Sequence, residues 1–434
     1  MHYKIMMKRF ILPLIPQILL EKYRRFNFSF NTYKQYLNFN TQYKKVSARI
    51  KGQEKINIAF YLFNADIWKA DSVYRAFEDH PKFIPYVVIC PQVNKGNKFL
   101  QNQLTRCIDL VNKNRYRHII GFDGDKENLI QPKKLPNFDI VFFLNPKSHT
   151  ISEFTIHKNK NSLNCYIPYS FNIDNLVQYQ YNNPILNSMF RIFTSSEYHH
   201  KMYLKYSIKK GVNTFASGFP QLDQFFTISD INPWKHPKSS RKKIIWGPHW
   251  TIPDLQKTGL DWSCFIEYSD FILKIADKYK DDIEFALKPH PFLFNLLEKE
   301  ENWGKIKTRN YLKEWNSRDN CQIIYGDYVD LFKHSDALIH DSGSFTVEYL
   351  CLNKPVAYTV NNENYLTRFN DIGSKAIEHH YTIKNESEFE EFVLNVIKDK
   401  DEKEQKRKMF NNVVLKADGE AGRRIVNHLE EIIK

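Results

Sequence analysis

The sequence predicts an α/β protein built from two doubly wound domains that face each other across a cleft. Short, near-continuous apolar runs such as INIAFYLFN (56–64) and FIPYVVICP (83–91) read as strands buried on both faces. Segments with apolar residues at helical spacing separate them, as in ADIWKADSVYRAFEDHP (65–81) with Trp68, Val73 and Phe77. The series then runs a second time, beyond a polar stretch TISDINPWKHPKSSRKK (227–243), in a chain of 434 residues that is too long for one core.

In order, the first series continues through HIIGF (118–122), DIVFFLNP (139–146), NCYIPYSF (164–171) and FRIFTSS (190–196), and closes with GVNTFASGFPQLDQFF (211–226). The second starts at KKIIWGPHW (242–250). It runs through IEFALKPHP (283–291), NCQIIYG (320–326), DALIHD (336–341) and KPVAYTV (354–360), and ends on a helical pattern, EAGRRIVNHLEEIIK. The expected division is an arm at 1–51, a first domain at 52–230, a second at 241–415 and a closing helix at 416–434. Ligands of such sheets bind beyond the carboxyl ends of the strands.

Charge separates the arm from the body. The formal net charge is +14, yet residues 1–51 hold eleven Lys/Arg and one acid, Glu21, so +10 of it lies there. A body built for nucleic acid would carry its charge on the folded domains, so no nucleic-acid partner is expected. The apolar run Phe10–Leu20 has 11 residues, includes Pro13 and Pro16, and is too short to span a bilayer. No small-residue cleavage site follows it. A basic, aromatic segment of this kind suits an anionic membrane surface, and equally a helix packed on the body. The first reading places the protein in the cytoplasm, peripheral on the inner face of the cell membrane.

The six cysteines are scattered without a C-x-x-C pair, which reads as reduced thiols. No metal site and no cofactor are expected. Asp123-Gly124-Asp125 has a D-x-D form but reads as a surface turn. In His199-His200 and His379-His380 adjacent side chains do not share a face.

Three polar clusters each follow a strand-like run in the second half. Trp246-Gly247-Pro248-His249-Trp250 follows KKII, Lys288-Pro289-His290-Pro291 follows IEFAL, and His340-Asp341-Ser342-Gly343-Ser344 follows DALI. If the strands are parallel neighbours, all three lie on one rim. The third cluster opens a helix, where unpaired N–H groups, a glycine and two hydroxyls suit a phosphate; Asp341 or Ser342 capping that helix explains it as well. Gly343 would let backbone approach a ligand. Glu348 lies one turn on from Ser344 and could reach a ribose hydroxyl. His290, held between prolines, suits a proton donor or charge-stabilising group, and Lys288 could pair with phosphate.

These blocks resemble the CDP-glycerol glycerophosphotransferases, the teichoic-acid polymerase and primase group. WGPHW is similar to the family's Pro-containing aromatic turn, KPHP (288–291) to its Lys-x-His-Pro motif, and GDYVDLFKHSDALIHDSGS (326–344) to its acidic block. DGEAGRRI (418–425) is similar to its final helix, and GFPQLD (218–223) to its Gly-x-Pro-x-x-Asp turn. The resemblance covers about residues 185 to 430. It implies a GT-B fold with the donor nucleotide in the second domain, no required metal, and a final helix that crosses back to the first domain. It places the donor diphosphate on His290 and on the turn from Asp341 to Ser344. The family's His-Gly-Thr motif, whose histidine is its proposed general base, has no match: the corresponding strand end reads YIPYSFNI (166–173). The Asp-Ser-Gly-Ser spelling also leans towards the Asp-Ser-Gly-Gly turn of UDP-N-acetylglucosamine 2-epimerases.

The expectation is therefore a transferase that moves glycerol phosphate from CDP-glycerol to a hydroxyl of a lipid-linked or polysaccharide acceptor. His290 and His249 would be catalytic. Lys288, Asp341, Ser342, Gly343 and Ser344 would bind the diphosphate and Glu348 the ribose, with residues 1–51 on the membrane surface. Two rivals stand beside it: a sugar transferase using a UDP- or CMP-sugar, and a non-catalytic membrane-docked assembly protein.

Overall fold

The computed structural model describes residues 37–124, 130–147, 149–229, 231–252 and 261–434. Two parallel sheets organise it. The first contains β1 (Ile56–Leu62), β2 (Phe83–Ile89), β3 (His118–Ile120), β6 (Ile140–Phe143), β7 (Leu163–Tyr166), β8 (Arg191–Thr194) and β9 (Thr214–Ala216), in the order β3-β2-β1-β6-β7-β8-β9. A two-stranded antiparallel hairpin, β4 (Phe122–Gly124) with β5 (Ile130–Pro132), stands beside it. The second sheet contains β10 (Lys242–Gly247), β11 (Ile283–Leu287), β12 (Cys321–Ile323), β13 (Ala337–His340), β14 (Val356–Thr359) and β15 (Tyr381–Ile383), in the order β12-β11-β10-β13-β14-β15. Each central strand is buried on both faces, as its unbroken apolar run requires: Ile58 and Ala59, Val141 and Phe142, Ile244 and Ile245, Phe285 and Ala286, and Leu338 and Ile339 have no exposed surface.

In both sheets the strand order reverses beside the first strand, between β1 and β6 and between β10 and β13. A crevice opens at such a switch point beyond the strand ends. In the second sheet, register pairs Gly247 with His340 and Trp246 with Leu287. The three polar clusters therefore leave neighbouring strands side by side.

Residues 37–50 form a helix that is part of the first domain. Phe39, Tyr43, Val46 and Ile50, at helical spacing, are buried in its core, the Tyr43 hydroxyl donates to Ser188 O at 2.7 Å, and Arg49 pairs with Asp139 at 2.7 Å. For this part of the basic arm the packed-helix reading holds. Residues 1–36, with the run Phe10–Leu20, lie outside the described residues. Among the described residues no helix is long and apolar enough to cross a membrane.

Two segments tie the domains together. The helix Ala421–Ile433 leaves the second domain and buries Ile425, Val426, Leu429 and Ile433 in the core of the first. Asp223 of the GFPQLD turn fixes its start: the carboxylate accepts from Ala421 N (3.2 Å) and Gly422 N (2.8 Å). Gly422 is required there, because a Cβ would stand 2.6 Å from the Ser72 backbone. The second tie runs through YSFNID (169–174). Ile173 O accepts from Asn370 N at 2.8 Å, Asp174 bridges to Phe369, and Phe171 and Ile173 are buried among second-domain side chains.

Candidate active site

At the rim, β10 and β11 bring two histidines together. The rings of His249 and His290 lie 4.9 Å apart, edge to face. Phe292 N donates to Nδ1 of His290 at 3.2 Å, and Thr251 N donates to Nδ1 of His249 at 3.3 Å. An N–H can only donate, so Nδ1 is the acceptor in both neutral rings, and Nε2 carries the proton. His290 is pushed down to about 3 by burial and the neighbouring Lys288. His249 is pushed well down by burial, then by His290 and Arg368. The pair thus offers two neutral Nε2–H donors at ordinary pH.

Lys288 stands two residues before His290 and is anchored through its N–H to Trp246 O at 2.8 Å. Its side chain is 5 % exposed, and burial pushes it down to about 8, against the opposing pull of Asp66 and Asp327. Its Nζ lies 6.0 Å from the centre of the Tyr328 ring. Lys69, from the first domain, donates to the Tyr328 hydroxyl at 2.6 Å, and that hydroxyl donates to Glu348. Glu348 is buried, with its carboxyl raised by that burial and held down in part by Lys69 and Tyr328. Its carboxylate sits beneath Tyr328, so a ribose could reach it only by displacing that hydroxyl. Around Lys69, Arg106 and Tyr328 a cavity of about 480 Å³ opens between the domains.

The HDSGS turn is organised differently from its sequence reading. His340 is fully buried, accepts from Ser342 N at 3.1 Å through Nδ1, and packs 5.3 Å from His380. It is an interior residue and takes no place on the rim. Asp341 is 1 % exposed and faces inward, accepting from His249 N (2.5 Å) and Cys264 N (2.7 Å). Burial outweighs these donors and pushes its carboxyl up to about 7. Asp341 ties the His249 turn to the start of the helix Phe265–Lys278, each of its oxygens taking one backbone N–H. No side chain caps the helix Phe345–Glu348, so the capping account of the cluster fails. Ser342 is nearly buried, and Ser344 is exposed at the helix start.

Gly343 has a physical reason that its sequence context did not reveal. A Cβ on it would stand 2.4 Å from the Trp262 ring. Trp262 covers the turn, 5.8 Å from His249 and 5.5 Å from Phe369, with the Arg368 guanidinium 5.6 Å from its ring centre. The space beside Gly343 is thus filled by an indole. Trp262, Arg368, Lys69 and Tyr328 were missed in the sequence; none lies in a strand-end cluster, and only the tertiary fold brings them to the rim.

The weaker candidates separate. Asp123 lies exposed on the hairpin and pairs with Lys133 at 2.9 Å; Asp125 is outside the described residues. His199 bonds Ser196 and Asn172 O, while His200 bonds Thr214. Among the described residues no three His, Cys, Asp or Glu side chains are grouped to hold a metal ion. The strand end at 166–173, which carries no histidine, runs into the tie between the domains.

The family model of CDP-glycerol:poly(glycerophosphate) glycerophosphotransferases matches residues 189–431, more than half of the chain. The chain belongs to this family. The match spans the whole second domain, the Gly-x-Pro-x-x-Asp turn and most of the final helix, and makes the protein a glycerophosphotransferase-type transferase of the GT-B fold. No curated protein matches the sequence. Among solved structures, a histidine variant of the wall teichoic acid polymerase TagF is similar with TM-score 0.58 and 12% identity, covering 94% of this chain and 98% of that one. A TagF variant soaked with CDPG gives 0.53 and 12%, covering 95% and 98%. The S. aureus MnaA–UDP complex gives 0.51 and 15%, covering 86% and 96%. At these identities the likeness is one of fold.

Proposed function

We propose that the rim formed by His249, Lys288 and His290 binds the diphosphate of CDP-glycerol, and that an acceptor hydroxyl attacks the glycerol-bearing phosphorus there. The new P–O bond forms as the bond to the bridging oxygen breaks, CMP leaves with that electron pair, and the acceptor hydroxyl's proton passes to the departing CMP phosphate. The observation that carries this reading is the His249–His290 pair beside Lys288, two neutral N–H donors and one cation at the switch point of the donor-domain sheet. Such groups act by position and by meeting charge as it develops. Ser342 and Ser344 add hydroxyls, Asp341 and Gly343 act by positioning, and Glu348 takes the ribose once Tyr328 moves aside. The acceptor is a lipid-linked or polysaccharide hydroxyl, and the basic residues before 37 keep the enzyme on the inner membrane surface.

The test is release of CMP from CDP-glycerol by the purified protein. His290→Ala should lower the rate by about 10²–10³-fold with an unchanged melting temperature. Unaltered CMP release by that variant would remove His290 from the chemistry. The Asp-Ser-Gly-Ser turn keeps a UDP-sugar donor as the second reading. Release of UMP or UDP from a donor screen, with no CMP from CDP-glycerol, would establish it instead.

A further inference from the structure

The helix at 37–50 forms one wall of a cavity of about 630 Å³ on the first domain, away from the rim of the second. Lys45 and Arg49 from the helix, Lys133 after the hairpin, and Lys158 line it, with Glu153 the one carboxylate among its lining residues. Among the described residues, Arg49 pairs with Asp139 at 2.7 Å and Lys133 with Asp123 at 2.9 Å. Leu135, Phe138, Tyr61 and Phe154 add apolar and aromatic surface to the lining. Tyr61 and Phe154 also wall a narrow second cavity, of about 20 Å³, beyond the carboxyl ends of β1 and β6. There Thr150 Oγ1 is buried, with no hydrogen-bond partner among the described residues. Residues 1–36, with seven Lys/Arg and one acid, lead directly into the helix of the basic wall.

We propose that this cavity binds a phosphodiester anion carried on an amphiphilic or polyol chain. The cations meet the phosphate and the apolar surface takes the carbon chain. The inference rests on the proposed reaction for the chain it names: the cavity lies at the amino ends of β6 and β7, and the shared Tyr61–Phe154 wall separates it from the small cavity beyond the carboxyl ends of β1 and β6. Two sources supply the same chemistry: a membrane phospholipid headgroup, and the phosphodiester backbone of the acceptor itself.

The experiment uses the full chain and two probes: a soluble glycerol phosphate oligomer, and vesicles of phosphatidylglycerol in phosphatidylcholine. Lys45→Glu combined with Lys158→Glu reverses two cavity charges on exposed side chains. Lys305→Glu combined with Arg309→Glu, on the exposed face of the helix Gly304–Ser317, is the control. The cavity variant should bind at least one probe about tenfold more weakly at low salt, with the difference shrinking as salt rises. The control should bind both as the native protein does. Loss on the oligomer identifies the acceptor backbone, and loss on the vesicles alone identifies the headgroup. Equal binding of both probes by the cavity variant and the native protein would overturn the proposal. CMP release from CDP-glycerol is measured in parallel. A protein that releases none fails the donor reading and leaves the binding result intact.

Discussion

Replacing Gly343 with alanine tests whether this glycine serves the Trp262 ring or an approaching ligand. The added Cβ would meet two ring atoms of Trp262 at 2.4 and 2.7 Å. The backbone at Gly343 is not among the positive-φ positions, so packing is the whole cost. Overpacking of this kind costs about 1–3 kcal/mol. For a domain of this size each kcal/mol lowers Tm by about 2–4 °C, so Gly343→Ala should melt roughly 2–12 °C lower than the native protein. The ring must tilt, which moves it against His249 and Arg368, so tryptophan fluorescence should change and stabilisation by CDP should weaken. A double-mutant cycle isolates the cause. In a Trp262→Ala background the glycine substitution should cost less by about 0.5–3 kcal/mol, the range for residues in contact. An equal cost in both backgrounds, read from denaturant unfolding, would refute the argument and return Gly343 to the ligand.

Three further outcomes are expected. Lys288, pushed down to about 8, loses its proton as pH rises through that value. kcat/KM for the donor should therefore fall on the alkaline side near pH 8, and Lys288→Arg should move that limb upward; identical limbs would exclude the lysine. Asp341, pushed up to about 7, holds a proton in the folded state that the unfolded carboxyl releases near pH 4, roughly its ordinary value. Its contribution is fully present below that ordinary value and is lost as pH rises through about 7, so unfolding midpoints measured from pH 5 to 8 should fall more steeply for the native protein than for Asp341→Asn. Asp223→Ala leaves Ala421 N and Gly422 N without their acceptor and should cost about 1–2 kcal/mol, with amide exchange rising first in the helix Ala421–Ile433.

The strands were legible because parallel strands covered on both faces are apolar at every position. Ile56–Leu62 and Ile283–Leu287 announce themselves in this way. β15, at Tyr381–Ile383, was not recognised: it has three residues, lies at a sheet edge, and is only partly buried. HIIGF was read as one strand, whereas the chain turns at Gly121 and starts a hairpin. The rim positions of Lys288, His249 and His290 were readable because they follow strands directly. Interior roles were not. His340 and Asp341 occupy the same kind of position as His290, yet their side chains turn into the protein, and only packing decides that. The Lys69–Tyr328–Glu348 relay joins residues from two domains, and no local spacing encodes it.

The crossing helix also sets a timetable for folding. The helix Asp71–Glu78 has Gly422 packed against its Ser72 backbone, and the core around it is completed by Ile425 and Leu429. Those residues are translated after the entire second domain. At about 5–20 residues per second, the first domain waits roughly 10–40 s on the ribosome with an uncovered apolar flank. During that interval it is open to chaperones and to pairing with other nascent chains. The core of the first domain is therefore complete only once the second domain has been synthesised.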